Sequence, residues 1–135
     1  MEIKTCNASE FELVKKYIAE LELDDRKLLK EQFVIAVSDG ELIAFGRVRE
    51  YDNFSELCSM GVIPKARSKG VSKIVFQALI DKAQKTKYLA CIIPDYFIPF
   101  GFEICDDYPP EMQDKLDYCI GSLPVEEKYV VMKKI

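Results

Sequence analysis

Residues 62–79 read VIPKARSKGVSKIVFQAL: the end of an apolar strand, a basic turn with one glycine and an amphipathic helix follow one another directly. The first amides of a helix have no partner inside the helix and carry the positive end of its dipole. A helix that begins at about Lys69 to Val71 therefore presents hydrogen-bond donors to an anion such as phosphate. This order of elements predicts an anion-binding turn.

The residue types in this turn fit a phosphate ligand. Gly70 has no Cβ, so a ligand can approach the backbone closely. Arg67 can hold two phosphate oxygens at once, and lysines at positions 65, 69 and 73 add positive charge. The alternative is an ordinary loop into a surface helix with solvated basic residues. The sequence contains neither G-x-x-x-x-G-K-[ST] nor G-x-G-x-x-G, which excludes the nucleoside triphosphatase loop and the dinucleotide fingerprint.

Length and composition limit the class of protein. The chain has 135 residues, of which 49% are hydrophobic and 31% charged, and we expect one globular domain over residues 1–135. The sequence has no run of about 18 apolar residues to cross a membrane and no apolar signal segment at its start. We therefore expect a cytoplasmic protein without a membrane partner. The net charge of −4 argues against nucleic-acid binding.

The absence of histidine restricts the chemistry. It excludes Ser-His-Asp and Cys-His catalysis and most transition-metal sites. The five cysteines are widely spaced without a C-x-x-C pair, which favours reduced thiols and predicts no bound metal. Any general base is then a carboxylate, a tyrosine, a cysteine or a water molecule that one of them holds.

Local signals define the elements of the first half. Ser9–Glu12 matches a capping box, and Asp39-Gly40 is typical of a tight hairpin turn. A short second helix is expected to pack through Leu28 and Leu29. The predicted elements are helices over residues 10–21 and 24–31, and strands over residues 33–37, 42–48 and 54–63.

The second half predicts a crossover and a closing strand. Residues 88–93 are continuously apolar, which fits a buried strand parallel to its neighbour. Gly121 is expected to end the last helix. The further elements are the helix after Gly70, a short helix that ends by Gly101, an extended segment over 102–105, a helix over 110–120 and a strand over 129–132. Together they predict an α+β domain with a βαβ crossover.

Two segments resemble the GNAT acyltransferase superfamily. Residues 62–72, VIPKARSKGVS, resemble its acyl-CoA signature V-x-P-x-x-[RQ]-x-x-G-x-[GA], with Ser72 at the last small position. Residues 96–102, YFIPFGF, are similar to the F-Y-x-x-x-G-F segment after the family's fifth strand. The resemblance implies a GNAT-like acyl-CoA N-acyltransferase fold. This fold is an α/β sandwich with a mixed, mostly antiparallel sheet of six to seven strands and helices on both faces.

The resemblance also implies an activity and a cofactor site. Acetyl-CoA would donate its acetyl group to a primary amine of a small molecule or amino acid by direct attack, without a metal. The pyrophosphate would lie on the turn, and the pantetheine arm along the preceding strand, where the amide of Met60 faces the oxyanion at a gain of about 3 kcal/mol. The implied cofactor-binding residues are Met60, Gly61, Val62, Arg67, Ser68, Lys69, Gly70, Val71 and Ser72.

Two catalytic residues are predicted. Glu56, the candidate base, resembles a glutamate found at this place in several family members, and the alternative is a side chain that solvates a sheet edge. Alternation would place Glu56, Cys58 and Met60 on one face. Tyr96 is the candidate acid, although the family's tyrosine position is Phe97 here, and one helical residue turns a side chain by about 100°. Tyr51, Cys58 and Tyr118 remain alternatives, and the thiolate leaving group needs no strong acid.

The acceptor and the competing functions stay open. Residues 108–119 resemble the tail of amino-acid N-acetyltransferases of the N-acetylglutamate synthase type. Residues 103–127 hold eight acids and one base, Lys115, which favours a cationic amine or a solvated surface. The alternatives are a non-catalytic acyl-CoA-binding module that regulates a protein partner, and an adaptor that uses exposed Tyr96, Phe97 and Phe100. A homodimer is a further option.

Overall fold

The computed structural model describes residues 1–67 and 69–135. Its strands form a sheet in the order β1-β2-β3-β4-β5-β7-β6. The strands are β1 Glu2–Thr5, β2 Phe33–Ser38, β3 Glu41–Glu50, β4 Ser55–Val62, β5 Lys87–Cys91, β6 Glu103–Ile104 and β7 Val130–Lys134. The α-helices are α1 Ala8–Glu20, α2 Val71–Lys82, α3 Pro94–Phe97 and α4 Pro110–Ser122, and 3₁₀ turns cover Lys30–Gln32, Pro64–Ala66 and Ile98–Phe100.

The sheet is mixed and mostly antiparallel, as predicted. The pairs β1–β2, β2–β3, β5–β7 and β6–β7 are antiparallel, and β4–β5 is parallel. The parallel pair follows from the α2 crossover, because parallel neighbours need a long connection. The sequence interpretation missed β1, which is four residues long.

The chain forms two compact units, Met1–Arg49 with Leu57–Ala83, and Glu50–Glu56 with Gln84–Ile135.

In the first unit, helices cover both faces of the β2–β3 hairpin. The turn residues Asp39 and Gly40 have positive φ angles of 53° and 77°, which the predicted hairpin requires. Helix α1 packs on Ile35 and Phe45, whereas α2 packs on the neighbouring residues Ala36 and Ala44. Successive strand residues point to opposite faces, so the two helices lie on opposite sides. The predicted arrangement of helices is confirmed for this unit.

The cap of α1 differs from the prediction. Asn7, not Ser9, is the N-cap, since its side chain accepts a 2.8 Å hydrogen bond from the amide of Glu10. Glu10 returns the interaction by accepting a 2.8 Å bond from the amide of Asn7. The predicted capping box was therefore wrong by two residues, because Asn7 and Glu10 satisfy the same three-residue spacing.

The second predicted helix does not form. Over the described residues 24–31, helical structure is limited to the start of the 3₁₀ turn Lys30–Gln32. Buried Arg47 donates to the carbonyls of Arg26 and Lys27 at 2.7 and 2.8 Å, so these groups are bonded to a side chain instead of a following helical amide. Leu28 packs on the core as predicted, but Leu29 is 55% exposed.

The second unit has its own apolar core. Phe54, Tyr88, Met112 and Val131 pack together and bring α4 onto β5 and β7. Helix α4 continues through Gly121 to Ser122, so the predicted stop at Gly121 was wrong. The cap lies at Leu123, whose carbonyl accepts a 2.7 Å bond from the Tyr129 hydroxyl. The presence of Gly121 in the sequence does not predict this hydrogen bond between Tyr129 and Leu123.

Candidate functional site

The predicted anion turn encloses a small cavity in the first unit. The cavity has a volume of about 90 Å³ and is lined by Val62, Ala66, Arg67, Gly70, Val71 and Ser72. Five of these six residues belong to the cofactor site that the sequence resemblance implied. Strand, turn and helix therefore meet here in the predicted way.

The local sequence explains how the cavity forms. Strand β4 ends at Val62, and Pro64 opens a 3₁₀ turn because its fixed φ and missing donor suit that position. Gly70 then forms the N-cap of α2 with a φ of 75°, a conformation that favours glycine. A glycine cap has no side chain to bond the first amides of α2, and a Cβ at Gly70 would meet open space. A ligand can reach the backbone at this point.

The basic side chains around the turn contribute unequally to its positive field. The Nε atom of Arg67 donates to the carbonyl of Val62 at 3.3 Å, which holds this exposed side chain beside the cavity. Lys65 forms an ion pair with Glu41, so part of its charge is offset. Lys69 and Lys73 are exposed. The positive field at the turn therefore comes from the helix dipole together with Arg67, Lys69 and Lys73.

Strand β4 is irregular where it approaches the cavity. Ser59 has a positive φ of 51°, which is uncommon for a residue other than glycine, yet burial alternates across it, with Cys58 and Met60 both half-buried. Gly61 has no room for a side chain, since a Cβ there would lie 2.7 Å from Cζ of Phe45.

Glu56 lies inside the second unit and not at a solvated edge. It is 1% exposed, and its Oε2 atom lies 3.2 Å from Nζ of Lys115, which is 4% exposed. The edge alternative for Glu56 was therefore wrong. The sequence interpretation missed Lys115 as its partner, although Lys115 shares the buried face of α4 with Met112 and Cys119. A lysine within an apolar helical stripe was the available signal.

Tyr96 lies in an aromatic cluster of the second unit. Its ring centroid is 5.0 Å from that of Phe97 and 6.0 Å from that of Phe100, and Tyr96 is half-buried. Phe97 is only 7% exposed and packs against Phe102. The adaptor hypothesis assumed an exposed Phe97, and this part of it was wrong.

The remaining predicted residues take the following places. Val62, Arg67, Gly70, Val71 and Ser72 come together around the cavity, and Lys69 neighbours it in sequence. Met60 and Gly61 lie just before it on β4. Ser68, also predicted to bind the cofactor, lies outside the described residues.

Within residues 1–67 and 69–135, no helix is long and apolar enough to cross a membrane, and no group of three potential metal-ligating side chains is found.

The mixed sheet and the strand–turn–helix arrangement at Gly70 are those of a GNAT-like domain. The model of the acetyltransferase (GNAT) family matches residues 2–95, so the chain belongs to this family. This confirms the family that the sequence predicted. No curated protein sequence matches the chain.

Solved structures of similar fold agree with this assignment. Rv2747 from Mycobacterium tuberculosis, in complex with CoA, is 12% identical with a TM-score of 0.79 over 100% of this chain and 99% of that one. N-acetylglutamate synthase from Neisseria gonorrhoeae, complexed with coenzyme A and L-arginine, is 17% identical with a TM-score of 0.77 over 98% of this chain and 32% of that one. This chain therefore spans about a third of the synthase. At these identities the likeness establishes the GNAT-like fold.

Proposed function

We propose that this protein is an acetyl-CoA-dependent N-acetyltransferase that acts on a primary amine of a small molecule or amino acid. The amine nitrogen attacks the thioester carbonyl, an N–C bond forms, and the C–S bond breaks to release CoA as its thiolate. The amine proton goes to a base. The observation that carries the proposal is the cavity at Gly70, where the backbone at the start of α2 is open to a ligand.

The cofactor occupies the turn in this proposal. The pyrophosphate accepts hydrogen bonds from the amides of residues 67–72, where the helix dipole and Arg67 favour negative charge. The pantetheine arm runs along Met60, Gly61 and Val62. The pairing of β4 with β5 supports this placement. Ser55 pairs with Lys87 and Glu56 with Tyr88, and β4 then continues to Val62, so the arm can lie along this later part of the strand. The amide of Met60 stabilises the oxyanion of the tetrahedral intermediate.

Proton transfer is assigned to two side chains. Glu56 takes the amine proton, through a water molecule because its carboxylate is almost fully buried. Tyr96 protonates the departing thiolate. For Tyr96 the matched test is Tyr96→Phe, which retains the ring packing on Phe97 and Phe100 and removes only the hydroxyl. A lower kcat with unchanged acetyl-CoA affinity would support the assignment, and an unchanged kcat would contradict it.

A cationic acceptor is favoured over a dicarboxylate. All eight acids between residues 103 and 127 are exposed, whereas the one base of that segment, Lys115, is buried against Glu56. The surface charge of the segment is thus more acidic than its composition indicates. Thiol release from acetyl-CoA with 1,4-diaminobutane and with L-glutamate distinguishes the two acceptor classes. We expect the higher kcat/KM with the diamine.

Calorimetric titration with acetyl-CoA tests the cofactor site. We expect micromolar affinity, equivalent to about −8 kcal/mol. Gly70→Ala should weaken binding at least about tenfold, equivalent to ~1.4 kcal/mol, because the added methyl group lies where the phosphates approach the backbone. Gly40→Ala is the matched control, since its φ of 77° and its open surroundings equal those of Gly70 at 75°. Equal affinity of the two variants would overturn the site.

A second function has one observation in its favour. The buried Phe97 occupies the family's tyrosine position, which fits a non-catalytic acyl-CoA-binding module that regulates a protein partner. Acetyl-CoA binding without thiol release for any primary amine would select this alternative. We further infer a cytoplasmic location, supported by the five cysteines, none of which forms a disulfide within the described part of the chain. We also infer a homodimer through an edge strand, β1 or β6.

A further inference from the structure

Helix α4 carries a lysine where its packing calls for an apolar residue. The buried residues of α4 are Met112, Lys115 and Cys119, which lie on one face at spacings of three and four. Met112 is fully buried in the core of the second unit, and Lys115 is 4% exposed. The apolar face of α4 is therefore interrupted by one charge in its middle.

That charge meets the carboxylate of Glu56. The Nζ atom of Lys115 and the Oε2 atom of Glu56 are 3.2 Å apart, and Glu56 is 1% exposed. Removing a carboxylate from water is unfavourable unless a cation or hydrogen-bond donors replace the lost solvation. Lys115 supplies that cation from α4, which packs on β5 and β7.

Stability alone does not explain this pair. Buried ion pairs contribute little, because the cost of desolvating both charges offsets their attraction, and apolar residues of similar size often serve as well. An apolar residue at position 115 would continue the stripe of Met112 and Cys119. A methionine at position 115 together with an uncharged residue at position 56 is thus compatible with the packing. A role other than stability is therefore needed to explain the charges of Glu56 and Lys115.

We propose that Lys115 is a positioning residue for the acetyl transfer: its Nζ atom, 3.2 Å from Oε2 of Glu56, fixes the orientation of that side chain, so that Glu56 accepts the amine proton. This inference rests on the proposed function. Lys115 acts only through its contact with Glu56 and has no direct role toward the amine or the thioester. The amine proton is transferred through the water molecule to Glu56 and from there to solvent, and Lys115 takes no part in the transfer.

Four variants test this role: Lys115→Met, Lys115→Arg, Glu56→Gln and the double variant Glu56→Gln with Lys115→Met. Thiol release is measured with acetyl-CoA and whichever of 1,4-diaminobutane and L-glutamate reacts faster. We expect Lys115→Met to lower kcat about ten- to hundredfold, within the range that proton-transfer groups contribute. The acetyl-CoA affinity should stay within about twofold, since neither Lys115 nor Glu56 lines the cavity at Gly70. Lys115→Arg should restore most of the rate, and the double variant should be no slower than Glu56→Gln alone.

The outcomes separate this inference from the proposed function. Lys115→Met protein that binds acetyl-CoA and retains the full kcat overturns the role of Lys115 while leaving the proposed function intact. Additive losses in the double variant overturn it as well, because Lys115 would then act independently of Glu56. If Lys115→Met does not fold, Lys115→Gln provides the same comparison with a polar, uncharged side chain. Failure of the wild-type protein to bind acetyl-CoA, or to release thiol with either amine, overturns the proposed function and the role of Lys115 with it.

Discussion

The Ser59 hydroxyl donates a 2.8 Å hydrogen bond to the main-chain carbonyl of Asp24, 35 residues earlier in the chain. Both residues are buried. Ser59 lies within β4 with a positive φ of 51°, and Asp24 belongs to the segment between α1 and β2 where the predicted second helix does not form. The bond therefore joins the α1–β2 connection to the strand that leads into the cavity.

We expect Ser59→Ala to lower the free energy of unfolding by about 1–2 kcal/mol, since it leaves the buried Asp24 carbonyl without this donor. Ser59→Gly is the informative comparison. It removes the same hydrogen bond but relieves the positive φ, which costs a non-glycine residue about 1–2 kcal/mol. Urea denaturation should therefore find Ser59→Gly more stable than Ser59→Ala. The reverse order would show that the conformation at Ser59 is not strained.

The cap of α1 gives a second test. Asn7→Ala should destabilise the protein by about 1 kcal/mol, because it removes the acceptor of the Glu10 amide. Ser9→Ala should have a smaller effect, since the Ser9 hydroxyl only donates a 2.9 Å bond to the Asn7 side chain. Thermal unfolding of the two variants measures the difference. Equal losses of stability in the two variants would show that Ser9 stabilises the start of α1 as much as Asn7 does.

Glu10 makes stability depend on pH in the acid range. The amide of Asn7 and then Lys4, at 2.9 Å, lower the pKa of the Glu10 carboxyl in the folded state. A carboxyl with a lowered folded pKa contributes stability above its unfolded pKa of about 4.3, and this is lost as the pH falls through the folded value. Glu10→Gln should therefore destabilise the protein at pH 7 and much less at pH 3. Glu20→Gln is the control, because Glu20 is exposed and lies 3.9 Å from its partner Lys16. A pH-independent effect of Glu10→Gln would contradict the linkage.

Cys91 should be unreactive in the folded protein. Burial raises the pKa of its thiol from 9.0 to about 11, and the thiolate is the form that reacts with alkylating agents. Iodoacetamide at pH 8 should therefore modify Cys91 in urea but not in buffer, whereas half-buried Cys58 should react faster in the native state. Mass spectrometry of the digested protein locates the label. Because the folded pKa is raised, the contribution of Cys91 to stability is present below pH 9 and lost as the pH rises toward 11. Rapid native labelling of Cys91 would contradict the burial.

Local chemistry made much of the fold predictable. Asp39-Gly40 dictated the hairpin because two successive positive φ angles suit few other residue pairs. Pro64 and Gly70 marked the end of β4 and the start of α2 for similar backbone reasons. These features need only a few neighbouring residues, so the anion turn was found together with the elements that form it.

The errors have a different physical origin. Residues 24–31 have the composition of a helix, but the side chains of Arg47 and Ser59 take up the carbonyls of Asp24, Arg26 and Lys27. Strand β1 is short and half-exposed, and its pairing with β2 gives it a structure that its own residues do not signal. In both segments, distant partners outweigh local propensity.

The sequence by itself determined the family, the order of the main elements and the turn around Gly70, because these depend on backbone conformation and on residues close together in the chain. Only the tertiary structure decided the environment of each catalytic candidate. Glu56 and Lys115 are 59 positions apart by their numbers, yet they form one buried ion pair, and Phe97 occupies the core where the family resemblance places a tyrosine. Burial and charge pairing are properties of the packed chain, since they arise when remote residues exclude water together.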